Sequence, residues 1–128
     1  VSPSEALLAF VLELTRAAKD LGLEPPAAQI ITQPPADAQN AWAYTSWSND
    51  SPTVPTVALT DLGVLTYVTA WQRRETRSAA DRWLRCIARH EVSHVHLEHY
   101  SGGLIAEVEV GVLMRDRWHE PTPQCNAR

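Results

Sequence analysis

The chain has 128 residues, enough for one domain with a modest core, and its 45% hydrophobic and 20% charged residues are ordinary for a globular protein. A net charge of −4 makes no electrostatic case for nucleic acid, and no apolar run is long enough to cross a membrane, so neither is expected as a partner. Two cysteines, Cys86 and Cys125, do not make a disulfide framework; with no signal-peptide pattern at the start, they point to a reducing cytoplasm, with Cys86 a small buried apolar residue.

Ser2-Pro3-Ser4-Glu5 supplies an N-cap, a proline at the first helical position and a glutamate that closes a capping box. Leu7, Leu8, Val11, Leu12, Thr15 and Ala18 then repeat with helical spacing until Gly22 ends the run. Pro25-Pro26 and Pro34-Pro35 bracket Ala27 to Thr32, which is therefore a short strand or extended segment. Ala41 to Trp47 is rich in aromatic and β-forming residues and is predicted as a strand. Ser48-Asn49-Asp50-Ser51-Pro52 is turn chemistry, and Val54 to Thr60 follows as the partner strand of a hairpin. Pro55 cannot donate a ladder hydrogen bond, so that strand is expected at a sheet edge, where an extended peptide could add to it.

Asp61 caps a helix predicted to run to about Gln72, against the preferences of Gly63 and its β-branched residues. Arg73-Arg74-Glu75-Thr76-Arg77 is expected as a solvated loop. Ser78-Ala79-Ala80-Asp81 resembles a capping box and opens a helix that meets no Gly or Pro until Gly102-Gly103, so it is predicted over about Ser78 to Ser101. A last helix covers roughly Leu104 to Trp118, and Pro121 and Pro123 mark a frayed tail. The five tryptophans fall within these elements and are expected to pack in the core. The sum is an α+β chain: one domain over residues 1–120 and a tail over 121–128.

His90-Glu91-Val92-Ser93-His94 is an H-E-x-x-H arrangement, and four of the five histidines lie between positions 90 and 99. Residues four apart on a helix lie about 40° from each other, so both imidazoles can face one Zn²⁺. Glu91 lies beside that face and can act as general base toward water. A catalytic zinc site usually takes three protein ligands. On a regular helix His96 and His99 are turned too far from His90 to join it. A carboxylate from the next helix is the better third ligand: Glu109 first, because Ile105, Val108 and Val112 would place it against the core, then Glu107, with His119 and Asp116 as further candidates. Tyr100, His119 and Tyr44 are candidates for a donor to the oxyanion.

The stretch from Ala88 to His99 resembles the H-E-x-x-H-x-x-x-x-H helix of ImmA/IrrE-type zinc metallopeptidases. Ala106 to Met114 looks like a degraded form of the helix that follows in that family, with Val110 and Gly111 where Ala and Asn are usual and Arg115 in place of a proline. The resemblance covers about thirty residues. It implies a minimal zincin-like domain in which an N-terminal helix, a small sheet, the motif helix and a glutamate helix succeed one another. It also implies His90, His94 and a glutamate as zinc ligands, Glu91 as base, and a peptide or protein substrate, which in that family includes repressors. The activity expected is zinc-dependent endopeptidase; the alternative is a non-catalytic zincin-fold module that binds or regulates a protein.

Overall fold

A computed structural model describes residues 1–32, 40–47, 55–121 and 125. The expected turn at Ser48 to Pro52, the start of the third strand at Val54, and Pro34-Pro35 and Pro123 lie outside the described residues. The architecture is α+β, with four helices and a three-stranded mixed sheet.

Helix α1 spans Pro3–Asp20 and starts as its sequence dictates. The Ser2 hydroxyl accepts from the Glu5 N–H at 3.2 Å, and the Glu5 carboxylate accepts from the Ser2 N–H at 3.1 Å. Gly22, with φ 71°, takes the left-handed position past the end. The face it buries overlaps the periodic run only in part: Ala18 is buried and Leu7 and Val11 are half-buried. Ala6, Phe10, Leu14 and Ala17 enter the core, whereas Leu8 is 61% exposed and Leu12 also faces out. Two apolar stripes share this helix, and the one carrying the aromatic ring is the buried one. Glu13 is buried beside it, its carboxylate accepting from Arg16 at 2.6 Å and Arg85 at 3.1 Å.

Strands β1 (Ala27–Ile31), β2 (Ala43–Trp47) and β3 (Pro55–Thr60) form a sheet in the order β1-β3-β2. β3 runs parallel to β1 and antiparallel to β2, so the expected β2–β3 pairing is present. The expected edge position of Val54 to Thr60 is not: β3 is central, and β1 and β2 are the edges. Pro55 is tolerated because it is the first residue of its strand, opposite Trp47 at the end of the ladder. From Val57 to Thr60 every residue is buried, as a central strand requires.

Thr60 ends β3 and caps helix α2 (Asp61–Gln72). Its hydroxyl accepts from the Gly63 N–H at 3.1 Å and donates to the Ala41 carbonyl at 2.6 Å. Gly63 is the helix's weak point by propensity, yet a Cβ there would run into the Trp42 carbonyl and lie 2.8 Å from Leu59 Cδ1. Close approach of the β2 entry chain thus explains a glycine that propensity alone disfavours.

Helix α3 spans Arg74–His96, starting four residues before Ser78 and stopping well before Ser101. The basic cluster is its first turn rather than a loop. Thr76 Oγ1 and Arg77 Nε donate to the last carbonyls of α2, Ala70 at 2.5 Å and Trp71 at 3.0 Å, and the Arg77 guanidinium lies 4.0 Å over the Trp71 ring. α3 packs against α1, α2, α4 and β2, burying Ala80, Leu84, Ile87, Ala88 and Val92. Trp42, Trp71, Trp83 and Trp118 pack against the core, partly buried, while Trp47 meets Tyr100 at a tilt, with ring centroids 4.8 Å apart.

Helix α4 (Leu104–Trp118) buries Ala106, Val110 and Met114. The stripe expected to face the core, Ile105, Val108 and Val112, is exposed, Ile105 at 77%. Cys86 and Cys125 are joined in a disulfide with Cα atoms 5.5 Å apart, and Cys125 is buried in the core cluster. The expectation of unpaired cysteines, and with it the ground for a reducing cytoplasm, is corrected. So is the picture of a wholly frayed tail, because Cys125 is anchored to α3. Among the described residues no helix is long and apolar enough to cross a membrane.

Candidate metal centre

His90 and His94 lie one turn apart on α3, facing α4. Their Nε2 atoms sit 3.0 and 3.1 Å from the two carboxylate oxygens of Glu107, which opens α4. Hydrogen bonds from His90 and then His94 hold the Glu107 carboxyl well below the usual carboxylate range, overcoming the opposing effect of burial. The three residues each offer a ligand atom, and these atoms lie within 4.8 Å of one another. In tetrahedral zinc sites, Zn–N and Zn–O bonds of about 2.0–2.2 Å put ligand atoms about 3.4 Å apart. The His–Glu separations are close to that, and two imidazoles with one carboxylate are a donor set that suits zinc. The group can hold a metal ion.

Glu109, the expected third ligand, does not meet this pair; its Oε1 lies 3.4 Å from His99 Nε2 instead. The helical wheel explains the correction. With Ala106, Val110, Gly111 and Met114 as the buried line, Glu107 is about 40° from the centre of the buried face and Glu109 about 120°. A core line of Ile105, Val108 and Val112, expected from periodicity, would invert the helix and bring Glu109 forward; those residues are exposed. His119 and Asp116 are exposed at the far end of α4, and His119 is its left-handed C-cap. Neither joins the group.

Glu91 is 6% exposed. Its carboxylate accepts a hydrogen bond from Thr45 Oγ1 at 2.9 Å, and the same hydroxyl lies 3.3 Å from the Glu91 main-chain carbonyl oxygen. Thr45 is the middle residue of β2, so the edge strand orients the carboxylate between the two histidines. Thr45 is not among the residues expected at the site from sequence. No local signal could have found it, since 46 residues separate it from Glu91. Neighbouring residues on a strand face opposite ways, so Tyr44 points away from the side on which Thr45 meets Glu91. Tyr100 is exposed against Trp47. His96 is exposed as well.

His99 is not on α3. The helix is capped at Leu97, and Glu98 takes a left-handed conformation with φ 56°. His99 Nδ1 then lies 3.0 Å from His94 Nδ1. Its place opposite His90, deduced for an unbroken helix, is corrected by this turn. Comparison of the chain with protein-family models, with curated proteins and with solved structures gives no match.

Proposed function

We propose that this chain is a zinc-dependent endopeptidase, with His90, His94 and Glu107 as ligands and Glu91 as general base. One observation carries the reading: a single α4 carboxylate meets both Nε2 atoms of α3 while the glutamate between those histidines is buried and held by a strand. Zinc in that group would supply Lewis-acid activation of water and of a carbonyl. The chain's own part is proton handling. Glu91 takes a proton from the attacking water and returns it to the leaving amine. Thr45 donates to Glu91 Oε1 and so orients the carboxylate while leaving Oε2 for the proton. β2 is an edge strand whose middle residue touches Glu91, so an extended peptide pairing with that edge would lie across the site.

The resemblance of Ala88 to His99 to the ImmA/IrrE-type helix supports the same reading, since it implies a glutamate from the following helix as a ligand without choosing between Glu107 and Glu109. The Cys86–Cys125 disulfide supports work in an oxidising compartment, where such bonds persist. The test loads the purified chain with zinc, counts metal by atomic emission, and follows cleavage of a fluorescently labelled unfolded protein. About one zinc per chain is expected, with hydrolysis lost and zinc retained in Glu91→Gln. Zinc binding without cleavage by the wild type would replace the enzyme with a metal-holding binding module.

A further inference from the structure

The end of α3 is built to bring a third histidine against His94. The His99 N–H bonds the His94 carbonyl at 3.0 Å, and the Glu98 N–H bonds the Val95 carbonyl at 3.1 Å. This paired closure normally places glycine where Glu98 stands. A non-glycine residue there costs about 1–2 kcal/mol, so the turn is held by what surrounds it. Part of that hold is Trp47 on β2, whose Nε1 donates to the His99 carbonyl at 3.0 Å.

Two Nδ1 atoms 3.0 Å apart need one proton between them. His94 presents Nε2 to Glu107 and therefore to the metal position. A neutral imidazole that ligates through Nε2 carries its proton on Nδ1. His94 Nδ1 is then the donor and His99 Nδ1 the acceptor. That leaves the proton of His99 on Nε2, an atom that is buried and makes no hydrogen bond among the described residues. Glu109 Oε1 lies 3.4 Å from it on a half-exposed side chain, so a small rotation completes the bond. With a metal in place of the Nε2 proton that His94 otherwise gives to Glu107, the tautomers along this chain of contacts are mutually consistent.

We propose that His99, backed by Glu109, is a positioning residue that fixes the tautomer and ring orientation of His94 for metal binding, and is not itself a ligand. The inference rests on the metal-centre reading above. Outer groups of this kind typically contribute about 10- to 100-fold to metal affinity.

The test uses ¹¹³Cd²⁺ as the bound metal, ring ¹⁵N spectra of the histidines, and chelator competition for affinity. The expected spectrum couples cadmium to Nε2 of His94, with protons on His94 Nδ1 and His99 Nε2 and no coupling to His99. His99→Phe, which keeps bulk but offers no acceptor, is expected to weaken binding about 10- to 100-fold. His99→Asn restores an acceptor oxygen near the Nδ1 position and is expected to recover most of the loss. Glu109→Ala, at a half-exposed side chain that does not threaten folding, is expected to give a smaller loss in the same direction. Cadmium coupling to His99, coupling through His94 Nδ1, or wild-type affinity in His99→Phe would overturn the relay while the metal centre stands. No cadmium binding by the wild type would overturn both.

Discussion

Thr45 Oγ1 and Glu91 Oε1 are joined by a 2.9 Å hydrogen bond across 46 residues of sequence, tying the edge strand of the sheet to the carboxylate between His90 and His94. Thr45→Val keeps the shape and removes the donor, leaving a buried carboxylate oxygen without this partner. The expected cost is about 1–3 kcal/mol. Urea denaturation measures it, and Thr45→Ser, which keeps the hydroxyl, should recover most of the midpoint. An unchanged midpoint in Thr45→Val would mean the bond contributes nothing to the fold.

Glu107 and Glu109 are two residues apart but meet different histidines. Glu107→Gln should therefore lower zinc affinity steeply, because an amide is a poor ligand and the negative charge is gone. Glu109→Gln keeps an oxygen acceptor toward His99 and should change affinity little. Chelator competition on both variants decides; the reverse order would return the third-ligand role to Glu109.

Glu107 should stabilise the fold at neutral pH and lose that contribution in acid. Hydrogen bonds from His90 and His94 depress its folded carboxyl, so the stabilisation is fully present above the ordinary carboxylate value and is lost as pH falls through the lower folded value. Glu107→Gln, which cannot ionise, should therefore lower the urea midpoint at neutral pH and differ less from the wild type as pH falls below the carboxylate range. A midpoint difference that does not change with pH would show that the carboxyl is not depressed.

The Cys86–Cys125 disulfide encloses His90, Glu91, His94 and Glu107 in one loop, with a sequence separation of 39. Closing a loop of that size is expected to stabilise the fold by about 3–4 kcal/mol. Cys125→Ser should therefore lower the denaturation midpoint, and reductant should lower the wild type to match. Free thiols in the native chain, counted by a thiol reagent, would remove the bond and the argument for an oxidising compartment together.

Patterns that act within one or two helical turns were legible in the sequence. The Ser2–Glu5 capping box, the span of α4, the pairing of β2 with β3 and the His90–His94 spacing depend on local geometry, and each stands in the structure. What local pattern could not choose was a face. α1 and α4 each carry two apolar stripes, and periodicity cannot tell which one the rest of the chain will cover. On α1 the periodic run includes the exposed Leu8 and Leu12 but not the buried Phe10 and Leu14. On α4 the expected line of Val108 and Val112 is exposed while Val110 and Met114 are buried, and that difference exchanges Glu107 for Glu109. Packing of α4 on α3 decided that question, because the stripe against α3 sets which carboxylate faces the histidines. Insertion of β3 between β1 and β2 decided which strand is an edge. Thr45 at Glu91, His99 at His94 and Cys125 at Cys86 were likewise decided by tertiary contact, since each needs two segments whose separation or turn no local propensity encodes.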